Sequence, residues 1–142
     1  MVASVCVDAS VALRLITAPV QDPAHALWDE WERDSARLLA PLLLQYECTS
    51  VLYRYRRQVH LSVEACEAAL GVILALPLIT AADPGLHGLA MAAAARYDLP
   101  AAYDAHYVAL AERESAQLCT ADLRLARRLR DHGVEWVRVP GE

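Results

Sequence analysis

The stretch Val2-Ala-Ser-Val-Cys-Val-Asp8-Ala-Ser10 decides how the chain folds. Val2 to Val7 is an apolar run rich in β-branched residues, with no polar residue on every second position. That pattern reads as a strand buried on both faces, the kind found inside parallel sheets. It stops at a carboxylate, Asp8, and Ser10 to Ile16 then reads as a short helix broken near Pro19.

Working outward, strand and helix keep alternating. Asp22-Pro23 places an N-cap before a proline at the first helical position, and the helix runs to about Asp34. Ala24, Leu27, Trp28 and Trp31 share one face of it. Arg37 to Ala40 is a short strand, and Pro41 leads into a long helix reaching about Val59. Ser62 caps a helix through about Leu76, and Leu78 to Thr80 is a third strand. Asp83-Pro84 repeats the cap-plus-proline signal before an alanine-rich helix to about Tyr97. Past Pro100, Ala102 to Ser115 is helical, Gln117 to Thr120 is a strand, and Asp122 opens a helix for which Gly133 is the C-cap glycine. Val134 to Val139 closes the series as a strand. The expected architecture is a single α/β domain over residues 1–142, a parallel sheet of about five strands between helical layers.

Composition sets limits on what such a domain does. With 56% hydrophobic and 22% charged residues, the 142-residue chain has enough apolar material for a full core. No run of about eighteen uncharged apolar residues exists, so no membrane span is expected. Met1 to Val7 lacks the basic leader and cleavage segment of a secretory signal, which makes the cytoplasm the expected location. Cys6, Cys48, Cys66 and Cys119 form no C-x-x-C pair and sit among apolar residues, as buried reduced thiols do. All thirteen basic residues are arginine. The formal charge of −5 argues against a nucleic-acid partner until the acids are placed.

Two aspartates stand where ligands gather in open parallel sheets, beyond the carboxyl ends of strands. Asp8 ends the first strand and Asp122 follows the fourth after one residue. Either alone reads equally as a helix N-cap. Two further acids interrupt apolar helix faces. Glu47 lies among Leu43, Leu44 and Val51, and Asp104 among Tyr107, Val108 and Ala111. A carboxylate in such a place needs a salt-bridge partner or a cation. Two carboxylates about 4 Å apart repel by ~4 kcal/mol at an effective dielectric near 20. Four together would have to take up protons or metal. Hard oxygen donors in that number select magnesium or manganese over zinc. Two divalent ions, +4 in all, would bring the formal charge of −5 to −1. The chemistry that uses a two-metal carboxylate site is phosphodiester hydrolysis.

The motifs V-D-A-S at Val7 to Ser10, E-x-x-x-V-L at Glu47 to Leu52, Y-D-A-x-Y-V-A-L-A at Tyr103 to Ala111 and T-A-D-L-R-L-A at Thr120 to Ala126 occur in that order over essentially the whole chain. In this the sequence resembles the PIN-domain family, and within it the VapC-like toxins of prokaryotic toxin–antitoxin pairs. The resemblance implies a three-layer α/β/α domain and a metal-dependent endoribonuclease. Asp8, Glu47, Asp104 and Asp122 would be its catalytic metal ligands, with Ser10 and Thr120 in support. It also implies magnesium or manganese as cofactor, a tRNA or ribosomal RNA substrate, a cognate antitoxin and a homodimer.

Other residues are weighed beside these. Arg54, at i+7 from Glu47, shares its helix face and could meet a phosphate; the alternative is a solvated face. Arg124, Arg127, Arg128 and Arg130 could track RNA or simply suit a helix C-terminus. Trp28 and Trp31 are core or partner-facing. Asp98 sits in a turn, Asp22 and Asp83 read as caps, and His106 lies about 200° round the helix from Asp104. The competing function is a catalytically silent module of the same fold that holds RNA or a protein. Covalent phosphoryl transfer at Asp8 fits poorly, because haloacid-dehalogenase-like enzymes need an aspartate where Ser10 stands.

Overall fold

A computed structural model describes residues 2–58 and 60–142; the expected helix end at Val59 lies outside the described residues. In chain order the elements are β1 (Ser4–Val7), α1 (Ala9–Thr17), α2 (Pro23–Arg33), β2 (Arg37–Pro41), α3 (Leu43–Arg57) and α4 (Val63–Leu74). β3 (Ile79–Ala81), α5 (Gly85–Arg96), α6 (Ala102–Arg113), β4 (Gln117–Cys119), α7 (Leu123–Asp131) and β5 (Val137–Arg138) follow. The strands form one five-stranded sheet in the order β3-β2-β1-β4-β5, and every pairing is parallel.

Alternation along the strands divides the core in two. Val5 and Val7 face one side with Leu38 and Cys119, where α2 supplies Ala24, Leu27 and Trp31. Cys6 faces the other side with Leu39 and Leu118, in a larger core that gathers Leu44, Ile73, Ala90, Tyr107, Val108, Leu110 and Leu129. The sheet is therefore the middle of three layers, and its central strand is apolar on both faces, as the Val2–Val7 run implies. All four cysteines are buried and free. No helix among the described residues is long and apolar enough to cross a membrane.

Three expectations need correction. The last strand is two residues long, Val137–Arg138, because Val134 is used to end α7. Asp83 does not cap α5 with its side chain. Its carboxylate accepts N–H groups from both terminal Arg113 guanidinium nitrogens, at 2.8 and 3.0 Å, and that ion pair lowers its pKa. The first strand begins at Ser4 rather than Val2.

Helices α2, α5, α6 and α7 share one ending. The second residue past each terminus adopts positive φ: Ser35 at 51°, Asp98 at 52°, Ser115 at 51° and Gly133 at 82°. The next residue donates its N–H back to the helix, as Ala36 does to Trp31, Leu99 to Ala94, Ala116 to Ala111 and Val134 to Leu129. Only Gly133 suits this conformation without steric cost, which for other L-residues is roughly 1–2 kcal/mol. Ser35→Gly and Ser115→Gly are both exposed and should each stabilise the fold by about 0.5–1 kcal/mol after glycine's extra unfolded entropy. Gly133→Ala should cost about 1 kcal/mol. Urea unfolding followed by tryptophan fluorescence measures all three, and a destabilised serine variant would contradict the account.

Candidate metal and nucleic-acid site

The strand order reverses between β1 and β4, which are hydrogen-bonded neighbours, and the crevice outside such a switch point is where a parallel sheet binds ligands. Asp8 stands there, its N–H donating to the Cys119 carbonyl at 3.0 Å. The residue is 6% exposed. Oδ2 accepts the Thr120 hydroxyl at 3.0 Å, the Ser10 hydroxyl, and the Ser10 N–H at 3.4 Å. Ser10 Oγ in turn accepts the Ala121 N–H at 2.9 Å, and Thr120 Oγ1 accepts the Asp122 N–H at 3.0 Å. The two hydroxyls thus tie the end of β1 to the segment after β4 and fix the orientation of Asp8.

Asp122 is the N-cap of α7. Its Oδ1 accepts the N–H groups of Arg124 at 3.0 Å and Leu125 at 3.3 Å. The capping role read as the alternative for both aspartates is real, since the Asp8 side chain and carbonyl also open α1. It occupies only one oxygen of each. Glu47, on α3, is held by the Tyr107 hydroxyl, which donates to Oε1 at 2.6 Å from α6. Asp104 lies in the first turn of α6 and makes no side-chain hydrogen bond among the described residues. Asp8 Oδ1, Glu47 Oε2, both Asp104 oxygens and Asp122 Oδ2 therefore have no protein donor among the described residues.

The four acids feel one another. Burial pushes the Asp104 carboxyl up to about 6, helped by the negative charges of Asp8 and Asp122. Burial likewise raises Glu47; the Tyr107 hydroxyl opposes this, and Asp8 and Asp104 add to it. Burial raises Asp8 against its three hydrogen bonds, and Asp122 raises it further. None of the ion pairs among the described residues involves any of the four. The buried salt bridge that could have explained Glu47 or Asp104 is absent from that set. No three His, Cys, Asp or Glu side chains among the described residues stand close enough to hold one ion as placed. The acids share an electrostatic field without forming a finished coordination shell. Their donor set of free hard oxygens with uncompensated negative charge fits magnesium or manganese chemically.

Arg54 is exposed and lines an open groove of about 370 Å³ with Glu47, Ser50, Tyr53 and Arg57. Arg128 contacts Asp98 and Arg130 is bidentate to Glu142, so half of the second arginine cluster is tied up within the fold. Trp31 is 3% exposed and packs edge-on against half-buried Trp28 at 5.1 Å, in the core that faces α2. Both indole N–H groups are buried without a partner among the described residues. The His106 ring nitrogens meet the Ala102 carbonyl and His87, not Asp104. Tyr107, read from the sequence as an apolar neighbour of Asp104, escaped notice as the group that positions Glu47. A tyrosine rather than a phenylalanine on a buried helix face was its one signal.

With this geometry in place, comparisons with known proteins agree on the architecture. A family model described as PIN domain matches residues 5–130. The chain is similar to the crystal structure of PAE2754 from Pyrobaculum aerophilum, with 24% identity, TM-score 0.72, and coverage of 98% of this chain and 90% of that one. A toxin–antitoxin complex from Klebsiella pneumoniae matches with 15% identity and TM-score 0.70, over 97% and 98% of the two chains. VapBC2 from Rickettsia felis, bound to a DNA fragment from its promoter, matches with 10% identity and TM-score 0.69, over 96% of each. A search of curated proteins found no match.

Asp104 titrates near 6 in the folded chain, against 3.8 for the unperturbed carboxyl. Its contribution to stability is present below about 4 and is lost as the pH rises through 6. With divalent ions chelated, Asp104→Asn should stabilise the protein at pH 7.5 by roughly 1–2 kcal/mol, allowing for solvent screening. At pH 4 it should change little. Urea unfolding at the two pH values decides this, and equal effects at both would show that burial of the charge beside Asp8 and Asp122 is not the cause.

Proposed function

The chain belongs to the PIN-domain family, and from that premise we propose that it is a metal-dependent endoribonuclease, the toxin of a toxin–antitoxin pair. Asp8, Glu47, Asp104 and Asp122 are assigned as its metal ligands and catalytic residues, with Ser10 and Thr120 supporting them. The observation that carries the reading is the set of free carboxylate oxygens on four acids that no arginine neutralises. A silent binding module has no use for such a set, since the repulsion among its members costs stability and gives it nothing in return.

When bound, magnesium or manganese would supply Lewis acidity toward the phosphate and make water a competent nucleophile at neutral pH. The chain's own part is positional. Ser10 and Thr120 fix Asp8 through Oδ2 and leave Oδ1 for the metal side. The Tyr107 hydroxyl does the same for Glu47, and the α7 cap does so for Asp122. Water attacks phosphorus in line, the 3′ oxygen leaves, and the products carry 5′-phosphate and 3′-hydroxyl ends. The RNA 2′-hydroxyl takes no part, so preference for RNA comes from loop shape, with tRNA or ribosomal RNA as substrate class. Arg54 is assigned to a phosphate near the cut. The toxin reading also assigns a cognate antitoxin, a homodimeric assembly and a cytoplasmic location. It draws support from two toxin–antitoxin assemblies that share the fold.

Asp8→Asn and Asp104→Asn, each verified as folded, should lower magnesium-dependent cleavage of structured RNA by about 100-fold or more. Undiminished cleavage by either variant overturns the assignment. In the wild type, magnesium or manganese should raise the melting temperature at pH 7.5 relative to chelator. That gain should vanish near pH 5, as protons displace the cation from carboxylates whose pKa values are raised.

A further inference from the structure

Glu47 and Asp104 each follow a tyrosine, Tyr46 on α3 and Tyr103 on α6. These rings are 67% and 68% exposed, and neither hydroxyl has a protein partner among the described residues. Consecutive helical residues are about 100° apart, so each tyrosine borders the face that carries its acid. Both rings line a single concavity of about 330 Å³ just beyond the carboxyl ends of β2 and β3. Pro41 and Leu86 give it apolar walls, and His87 and His106 give it a polar one. Size and character are those of a small-ligand pocket, mostly apolar with a few oriented polar groups.

The polar wall is ordered. His106 Nδ1 donates to the Ala102 carbonyl at 2.6 Å, which leaves Nε2 to accept from His87 Nδ1 at 2.9 Å. In the neutral pair His87 Nε2 is the remaining ring nitrogen able to meet a ligand. Asp83 also lines the pocket, but Arg113 neutralises it through two hydrogen bonds. Glu47 itself lines the groove that carries Arg54 and Arg57. A basic groove suited to phosphates and an aromatic pocket suited to a planar ring are thus lined by consecutive residues of α3, Glu47 and Tyr46.

We propose that this concavity is a subsite for one unstacked nucleobase of a single-stranded polynucleotide, with Tyr46 and Tyr103 as its stacking surfaces. The occupied base belongs to a nucleotide beside the scissile phosphate, so the inference rests on the nuclease reading and names how its substrate is gripped. Aromatic stacking of this kind tolerates any base and accounts for a large share of single-strand affinity. The histidine pair then adds a contact to the base edge.

The test uses single-stranded RNA octamers with 2-aminopurine at successive positions, titrated with the full chain in EDTA so that nothing is cut. The wild type should bind and quench the probe most strongly at one position. Tyr46→Ala/Tyr103→Ala should weaken binding by about tenfold or more and abolish that quench, whereas Tyr46→Phe/Tyr103→Phe should stay within about twofold of wild type. An octamer abasic at that position should bind the wild type and the alanine variant alike. Absence of saturable binding by the wild type overturns the proposal. So does an alanine variant that binds as tightly as wild type, the result expected if the pocket serves a protein partner, or one that loses equally on intact and abasic probes, which would show that no base is gripped there. Because no cleavage is read, a wild type that fails to cut RNA in magnesium would sink the nuclease assignment while leaving the base subsite standing.

Discussion

Negative charge held away from water without a positive partner is the constraint around which this molecule is arranged. Asp8 is nearly sealed and Asp104 and Glu47 are half-buried; burial raises the proton affinity of all three, and the charge of Asp8 adds to that of Glu47 and Asp104. Evolutionary convenience would pair such groups with arginine, of which the chain has thirteen. Arginines do pair with Asp22, Glu30, Asp83, Glu112 and Glu142, all outside the cluster. The ion pairs among the described residues all fall on acids outside the cluster, and the buried acids are left charged or protonated. A protein that only needed to fold would have no cause to do so.

The sheet makes the arrangement possible. A parallel strand buried on both faces delivers its last residue to a fixed point at the edge of the core, and the reversal between β1 and β4 opens a crevice there. Ser10 and Thr120 then bridge the two strand ends through a shared carboxylate oxygen. The helices α3 and α6 bring Glu47 and Asp104 from the side of the larger core, and the Tyr107 hydroxyl joins them across 60 residues of sequence. Each acid is therefore positioned by a different local device: a strand end, a cap, an inter-helical hydrogen bond, or the first turn of a helix.

How much of this is legible in the sequence follows from how local each device is. Strand-terminal acids and cap signals are short-range, so Asp8, Asp122, Asp22 and Ser62 can be read from their neighbours. A carboxylate that interrupts an apolar helical stripe is also local, which is why Glu47 and Asp104 stand out. The Tyr107–Glu47 bond, the histidine pair and the pocket under Tyr46 and Tyr103 depend on how helices rotate against each other, and no spacing rule supplies that angle. Asp83 misleads for the same reason, since its cap-like setting gives no sign that Arg113 waits thirty residues away. The serines at positive φ are invisible for a different reason: sequence reading looks for glycine at a helix end, and here the ending is imposed by the return of the chain to the sheet.

A carboxylate has two oxygens, and that is what lets one residue serve structure and chemistry together. Asp8 and Asp122 each give one oxygen to the fold, as caps and strand ties, and keep the other free. The cap reading and the ligand reading are therefore complementary descriptions of one side chain. The structural half also serves the functional half, because a carboxylate fixed through one oxygen loses little rotamer entropy when the other binds a cation. Asparagine at either position would keep an oxygen for the cap while giving up the charge. Such variants separate the two roles, provided that folding and cation binding are measured on the same sample.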